Sequence, residues 1–580
     1  MLWLPKIFAS VEPDGGLPAA VPDVDASGNG TGELPVKLAR LAALAALPLA
    51  AAAASAQPQA RPKLVVAISV DQLSSDLFQQ YRQHFDGGLK RLTEGAVFPA
   101  GYQGHNATET CPGHSTILTG ARPARTGIIA NNWFNLGIGR EDKNIYCSED
   151  PRVPGSDHRD YTVSTYHLKV PALGDHMKRA DPRSRVAVVA GKDRAAIMMG
   201  GYRADERWWW ENKAAAFINP GQAAKPAALA AVNASITDAL SRPRGARDLP
   251  RVCEAQSRAI QVAGSSQTVG EGRFARAAKA TSAFRASPDL DRATLELGEK
   301  LRRDMRLGEG QATDLLILGL SATDYVGHSF GTQGSEMCIQ MLALDEALGE
   351  FFRGLDATGI DYVVVLTSDH GGHDLPERHR QHAVPEADRV DPALNADQMA
   401  KTLAAQLKLK GQVLYGDGAF GDMYVDRTLT RAQQARVLQE ALRAYRGHRQ
   451  VEAVFTREQL RAAPAPSGPP DTWSLLTRAK ASFDPERSGD FVVLLKPRVT
   501  PIAKPGEGYV ATHGSPWDYD RRVPILFWRK GMTPFEQSLA VETVDILPTL
   551  AALIGVPIAA GSIDGRCLDL DEGPESSCTP

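Results

Sequence analysis

The chain has 580 residues, enough to bury a large core as one big domain with insertions or as two domains. Its 43% hydrophobic and 23% charged content is ordinary for a globular protein. A formal net charge of −3 leaves no basic footprint for nucleic acid, so partners have to be read from sites.

Residues 1–33 are rich in Gly, Pro, Ala and Asp and show no apolar period. After them, Lys37 and Arg40 form a basic start, residues 41–53 an apolar run, and Ala54-Ser55-Ala56 a small-residue cleavage site. That order is a secretory signal peptide at 36–56. A signal peptide begins a chain, so residues 1–35 are expected to be a mis-called extension, with the true start at Val36. The apolar run is Ala-rich and short for a membrane span, and no later run is long enough to cross a bilayer. The protein is therefore expected in the periplasm or outside the cell. An oxidising compartment lets the six cysteines pair. Cys567 with Cys578 is the first expectation and Cys147 with Cys253 the second, although spacing alone does not choose among the pairings.

Five apolar runs do not alternate and so predict strands buried on both faces: Leu64–Val70, Val186–Ala190, 315–320, Tyr362–Thr367 and 523–528. Helical patterns separate them, most clearly Met341, Leu344, Leu348, Phe351 and Leu355 at three- and four-residue spacing. The fold class is therefore α/β, with a mostly parallel central sheet flanked by helices. Residues 544–556 read as a closing helix. The core is divided into 61–200, 301–374 and 504–580, the last including the C-terminal tail. Residues 201–300 form an Ala-rich insertion. Near its start, Trp208, Trp209 and Trp210 either line a substrate mouth or pack against an inserted subdomain. Residues 375–503, with a strand at Phe491–Leu495, form a cap region.

Polar residues follow these strands. Asp71 ends the first, Lys192 and Arg194 follow the second, Asp324 and His328 the third, Asp369 and His370 the fourth. Ligands bind at the carboxyl ends of strands in open α/β sheets, so these residues converge on one sheet edge. Between the first two strands, residues 106–132 read as loop, short helix and loop. Pro112 suits the first helical position and Gly120 the exit. Thr110 and Cys111 then stand at the helix entrance, where free N–H groups attract an anion.

Asp324-x-x-x-His328, Asp369-His370, Asp71 and His513 make six ligands of mixed carboxylate and imidazole type, which suits Zn²⁺. Six are enough for two ions with three protein ligands each, the usual device for displacement at phosphorus.

With these residues in view, the chain resembles the alkaline phosphatase superfamily, and within it the secreted bacterial alkaline phosphatases that use a threonine nucleophile and a Lys-x-Arg pair. The matching pieces are Val70-Asp71-Gln72, Thr110-Cys111-Pro112-Gly113-His114, Gly127-Ile128-Ile129-Ala130-Asn131, Gly191-Lys192-Asp193-Arg194, Asp324-Tyr325-Val326-Gly327-His328, Ser368-Asp369-His370-Gly371 and Thr512-His513-Gly514-Ser515-Pro516. The resemblance implies one zinc on Asp324, His328 and His513. It implies a second on Asp71, Asp369 and His370, with Thr110 as exchangeable ligand and nucleophile. It further implies a phosphothreonine intermediate without a general acid, and Asn131, Lys192 and Arg194 as substrate ligands. A Lys–Arg pair meets the non-bridging oxygens of a phosphate monoester, where a diester carries an extra substituent. Small phosphate monoesters are thus the expected partners, and a monomer the expected assembly. The alternatives are a phosphodiesterase or nucleotide pyrophosphatase of the same superfamily and, more remotely, a non-catalytic binding protein on this scaffold. A sulfatase is rejected, because Pro112 comes one residue too early for C-x-P-x-R. Cys111 is then a packed neighbour of the nucleophile, and His105, His114 and His373 stand behind the ligands.

Overall fold

The computed structural model describes residues 60–580 apart from 383, 572, 574, 575, 579 and 580. The expected signal peptide at 36–56 and extension at 1–35 lie outside the described residues. The apolar runs form the middle of a ten-stranded sheet. Its strands, numbered in chain order, are β1 (Leu64–Val70), β2 (Ala96–Tyr102), β3 (Val186–Ala190), β4 (Glu206–Glu211), β5 (Ala216–Ile218), β6 (Asp314–Leu320), β7 (Tyr362–Thr367), β8 (Arg522–Arg529), β9 (Phe535–Glu536) and β10 (Val541–Glu542). The spatial order is β9-β2-β8-β7-β1-β6-β3-β4-β5, with β10 also on β2. Strands β7, β1, β6, β3 and β4 run parallel, whereas β8 is antiparallel to both β7 and β2 and β5 is antiparallel to β4.

The central strands do not alternate because each one feeds two cores. Leu64, Val66, Ile68 and Val70 of β1 enter one core, and Val65 and Ala67 the other. Helices cover both faces. The chain-order labels are α1 (Thr110–Ile117), α2 (Asp193–Gly200), α3 (Pro288–Asp304), α4 (Ala322–Phe330), α5 (Ser335–Asp356) and α6 (Ile546–Ile554). Leu297 of α3 and Leu344 of α5 fill the first core, while Ile117 of α1, Met199 of α2 and Leu550 of α6 fill the second.

Strand β2 escaped the sequence pattern, whereas the expected run 523–528 lies within β8. Pro99 interrupts β2 and Pro524 interrupts β8, and both lie where the register between these strands shifts. A proline cannot donate to the ladder, so it is tolerated at such an irregularity. The tryptophan run is buried, and Trp210 stacks on Phe284 of the 201–300 segment with ring centroids 5.3 Å apart, as the packing reading expected. The run is β4, paired with β3, with Trp208 and Trp210 in one core and Trp209 in the other. Within 375–503, strands Leu414–Gly416, Gly421–Val425, Phe491–Leu495 and Val451–Thr456 make a separate antiparallel sheet with its own core.

Three disulfides form: Cys111–Cys147, Cys253–Cys338 and Cys567–Cys578. The expected Cys147–Cys253 pairing is corrected. Cys253 lies with Cys338 of α5 in the core on the α3 and α5 face, whereas Cys147 packs in a different cluster with Cys111 of α1.

Candidate active site

The strand order delivers the polar residues to one edge in register. The neighbouring strands β7, β1, β6 and β3 are followed, in that spatial order, by Asp369 and His370, by Asp71, by Asp324 and His328 on α4, and by Lys192 and Arg194 at the start of α2. His513 arrives from the loop before β8.

Across the sheet edge stands α1. Its N-cap is Glu109, in extended backbone, so Thr110 is the first helical residue. Pro112 occupies the third position rather than the expected first, still within the turn whose N–H groups have no intrahelical acceptor. Gly120 has φ 65° where the chain leaves. Gly113 lets α1 approach closely: a Cβ there would stand 2.0 Å from the Asp369 carbonyl oxygen. Asn131 closes the entrance. Its Oδ1 accepts the Cys111 N–H at 2.8 Å, its own N–H donates to Glu109 Oε2 at 2.6 Å, and its carbonyl accepts the Cys147 N–H at 2.9 Å.

Lys192 is buried and joins the pieces. Its Nζ lies 3.3 Å from Thr110 Oγ1, 2.5 Å from Asp324 Oδ2 and 2.7 Å from Asp71 Oδ2. Burial disfavours its charge, but Asp324 and Asp71 outweigh that and hold the ammonium above its usual range. Arg194 is fixed beside it: NH1 donates to the Tyr146 hydroxyl at 3.3 Å, and Tyr146 donates to Asp193 Oδ1 at 2.9 Å.

The six predicted ligands come together. Asp324 Oδ1 lies 3.3 Å from His328 Nε2 and 3.4 Å from His513 Nε2. His370 Nε2 lies 3.2 Å from Asp369 Oδ2 and 3.5 Å from Asp71 Oδ1. The two sets touch, since the His370 and His513 rings stack at 3.6 Å. Two trios at this edge keep their donor atoms within 4.8 Å of one another, Asp71, Asp369, His370 and Asp324, His370, His513, with His328 beside the second.

These residues fit metal ions on three counts. Asp71 Oδ1, Asp324 Oδ1 and His370 Nε2 are buried without a hydrogen-bond partner. The three imidazoles direct Nδ1 to a backbone oxygen: His328 to Ala511 at 2.9 Å, His370 to Gly371 at 2.8 Å, and His513 to Thr108 at 2.8 Å. That contact places the proton on Nδ1 and leaves Nε2 as a lone-pair donor. Burial also pushes His370 down to about 3 and His328 to about 4, the neutral ligand form. Finally, three buried carboxylates share a site in which Lys192 is the nearby lysine, and burial together with Asp369 raises Asp71 well above its usual range. Such a charge imbalance calls for added cations.

Several participants were not singled out as site residues. Glu109 holds Asn131, and Tyr146 and Asp193 hold Arg194, and no spacing rule marks them. His114, expected behind the ligands, places Nδ1 3.0 Å from Asp369 Oδ2. Cys111 is more than a packed neighbour, since its disulfide ties α1 to the segment that carries Tyr146.

A model of the type I phosphodiesterase / nucleotide pyrophosphatase family matches residues 65–516. Alkaline phosphatase PhoK of Sphingomonas sp. is 57% identical over 520 residues, covering 89% of this chain and 92% of that protein. Alkaline phosphatase PhoD of Zymomonas mobilis is 49% identical over 523 residues, covering 90% of each. The crystal structure of alkaline phosphatase PafA superposes with a TM-score of 0.76 at 22% identity, over 88% of this chain and 99% of that one, a likeness of fold. With a family match that spans most of its length and a strand-end cluster built as above, this chain belongs to the type I phosphodiesterase / nucleotide pyrophosphatase family of the alkaline phosphatase superfamily.

Proposed function

We propose that the protein is an exported, zinc-dependent alkaline phosphatase that hydrolyses phosphate monoesters through a phosphothreonine. The observation that carries this reading is Thr110 Oγ1 at a helix entrance, 3.3 Å from the buried Lys192 ammonium and beside two carboxylate–imidazole sets. The names of two relatives at 57% and 49% identity support the same activity. Three disulfides support export.

Asp324, His328 and His513 would hold one zinc, and Asp71, Asp369 and His370 the other, with Thr110 at its exchangeable position. Zinc there supplies Lewis-acid polarisation of the phosphoryl and leaving-group oxygens and lowers the pKa of the groups it binds. Asn131, Lys192 and Arg194 bind the non-bridging phosphate oxygens, and Tyr146 and Asp193 hold Arg194 in place for them. Thr110 Oγ1, its hydroxyl proton given up to solvent, attacks phosphorus. The Oγ1–P bond forms as the P–O bond to the alcohol breaks, and the electron pair leaves on the alcohol oxygen, which takes up a proton from solvent. Water then attacks the same phosphorus and gives up a proton, the Oγ1–P bond breaks, Thr110 regains its hydroxyl proton, and phosphate departs. Lys192, 3.3 Å from Oγ1, stabilises negative charge on that oxygen in both steps.

Two positively charged side chains facing the phosphate favour a dianionic monoester over a diester. The test is turnover of p-nitrophenyl phosphate and bis-p-nitrophenyl phosphate by zinc-replete wild type and Thr110→Ala. Faster monoester turnover and a large loss in Thr110→Ala with zinc retained are expected. Faster diester turnover would make the protein a phosphodiesterase, and near-full activity of the variant would remove Thr110 as nucleophile.

A further inference from the structure

Arg285 ends the short helix Thr281–Arg285. Its guanidinium carbon stands 4.3 Å from the centroid of the Tyr325 ring. Its Nε is buried without a hydrogen-bond partner. Among the described residues, no carboxylate or carbonyl oxygen engages the guanidinium, so the ring is its one polar contact. Comparable arginines elsewhere find acceptors: Arg122 pairs with Glu542, Arg378 with Asp374, and Arg487 donates to backbone oxygens. A partly desolvated cation without an anion is costly, and an aromatic face offsets that cost only in part.

The position of the ring gives Arg285 meaning. Tyr325 directly follows Asp324 on α4. Lys192 Nζ lies 5.1 Å from the centroid of the same ring. The half-buried Tyr325 ring thus lies close to both the Arg285 guanidinium and the ammonium that faces Thr110. An ester whose phosphate rests against Lys192 and Arg194 projects its alcohol part away from them. Helix α4 carries both Asp324, a proposed zinc ligand, and Tyr325.

We propose that Arg285, seated on Tyr325, is a specificity-determining residue that binds a second oxyanion on the leaving group. The preferred substrates are then phosphate monoesters that carry a carboxylate or a further phosphate. This inference rests on the phosphatase reading above. It adds a third cation to the site, one that reads the alcohol rather than the reacting phosphate.

The experiment compares kcat/KM of zinc-replete wild type, Arg285→Ala and Arg285→Lys on p-carboxyphenyl phosphate, p-phenylene bisphosphate and the uncharged p-carboxamidophenyl phosphate. Arg285→Ala is expected to lose about tenfold more on a charged ester than on the carboxamide, in keeping with the loss of one charge-assisted contact. Arg285→Lys should recover part of that difference, and the carboxylate and bisphosphate arms show which oxyanion is read. If Arg285→Ala does not fold, Arg285→Gln, which keeps much of the contact with the ring, is read in the same way. Equal losses on all three esters, or none on any, would overturn the proposal. Wild-type protein that hydrolyses none of the three would instead overturn the phosphatase reading, and this one with it.

Discussion

Gly113→Ala tests how α1 is held against the sheet edge. The added methyl group would stand 2.0 Å from the Asp369 carbonyl oxygen and 2.6 Å from its carbon. Backbone cannot swing aside as a side chain does, so α1 and the β7 end must separate by roughly 1.5 Å to restore ordinary contact. Both bodies carry proposed site residues, Thr110 on one and Asp369 and His370 on the other. A misplacement of about 1 Å costs on the order of 10²-fold in rate, and overpacking of this kind costs about 1–3 kcal/mol in stability. The assay is kcat for p-nitrophenyl phosphate, with zinc content and Tm measured on the same preparation. A folded, zinc-loaded Gly113→Ala with wild-type kcat would show that Thr110 is not held in place by this contact.

Other perturbations separate other parts of the site. Arg194→Ala should lower kcat/KM for a monoester by about 10- to 100-fold, the worth of one charge-assisted phosphate contact, and affect a diester less; equal losses would refute the role given to Arg194. Replacing Cys111 and Cys147 by Ala frees both neighbours of Asn131, so KM should rise several-fold and Tm should fall, as expected from about 2–5 kcal/mol for a native disulfide. Unchanged KM and Tm would show that the bridge does not brace the substrate side. Asp422 lies in the separate sheet, where burial raises its pKa to about 6 despite the Gly489 N–H it accepts at 2.6 Å. Its folded pKa is above the unfolded one, near 4, so the stability it contributes is present below about 4 and lost as pH rises through about 6. Melting curves of Asp422→Asn between pH 4 and 7 should lose that part of the pH dependence; an unaltered dependence would place the titration elsewhere.

Much of the core was legible in the chain because β1, β3 and β7 are apolar on both faces and flanked by polar residues. That pattern yields both the strand bounds and the sheet edge on which the ligands gather. β2 was not legible, since Pro99 breaks its run, and β4 hid in a tryptophan triplet that is equally at home in a pocket. In the site, Asp71, Asp324, His328, Asp369, His370 and His513 could be named because each follows a strand or sits at a short fixed spacing. Tyr146, Glu109 and Arg285 could not. Each acts through contacts with residues distant in the chain, Tyr146 through Arg194 and Asp193, and Arg285 through Tyr325, and periodicity carries no trace of such contacts. The cysteines repeat the lesson: Cys567 and Cys578 are close in sequence, whereas the partners of Cys147 and Cys253 depend on which core each enters.

Anomalous diffraction at the zinc edge, on crystals of the zinc-loaded protein, reaches the centre of the matter. Two peaks are expected, one bounded by Asp324, His328 and His513 and the other by Asp71, Asp369 and His370, with the Thr110 hydroxyl beside the second. A single peak, or zinc bound at a remote group such as Asp142, Asp157 and His158 with these six residues empty, would contradict the two-ion phosphatase.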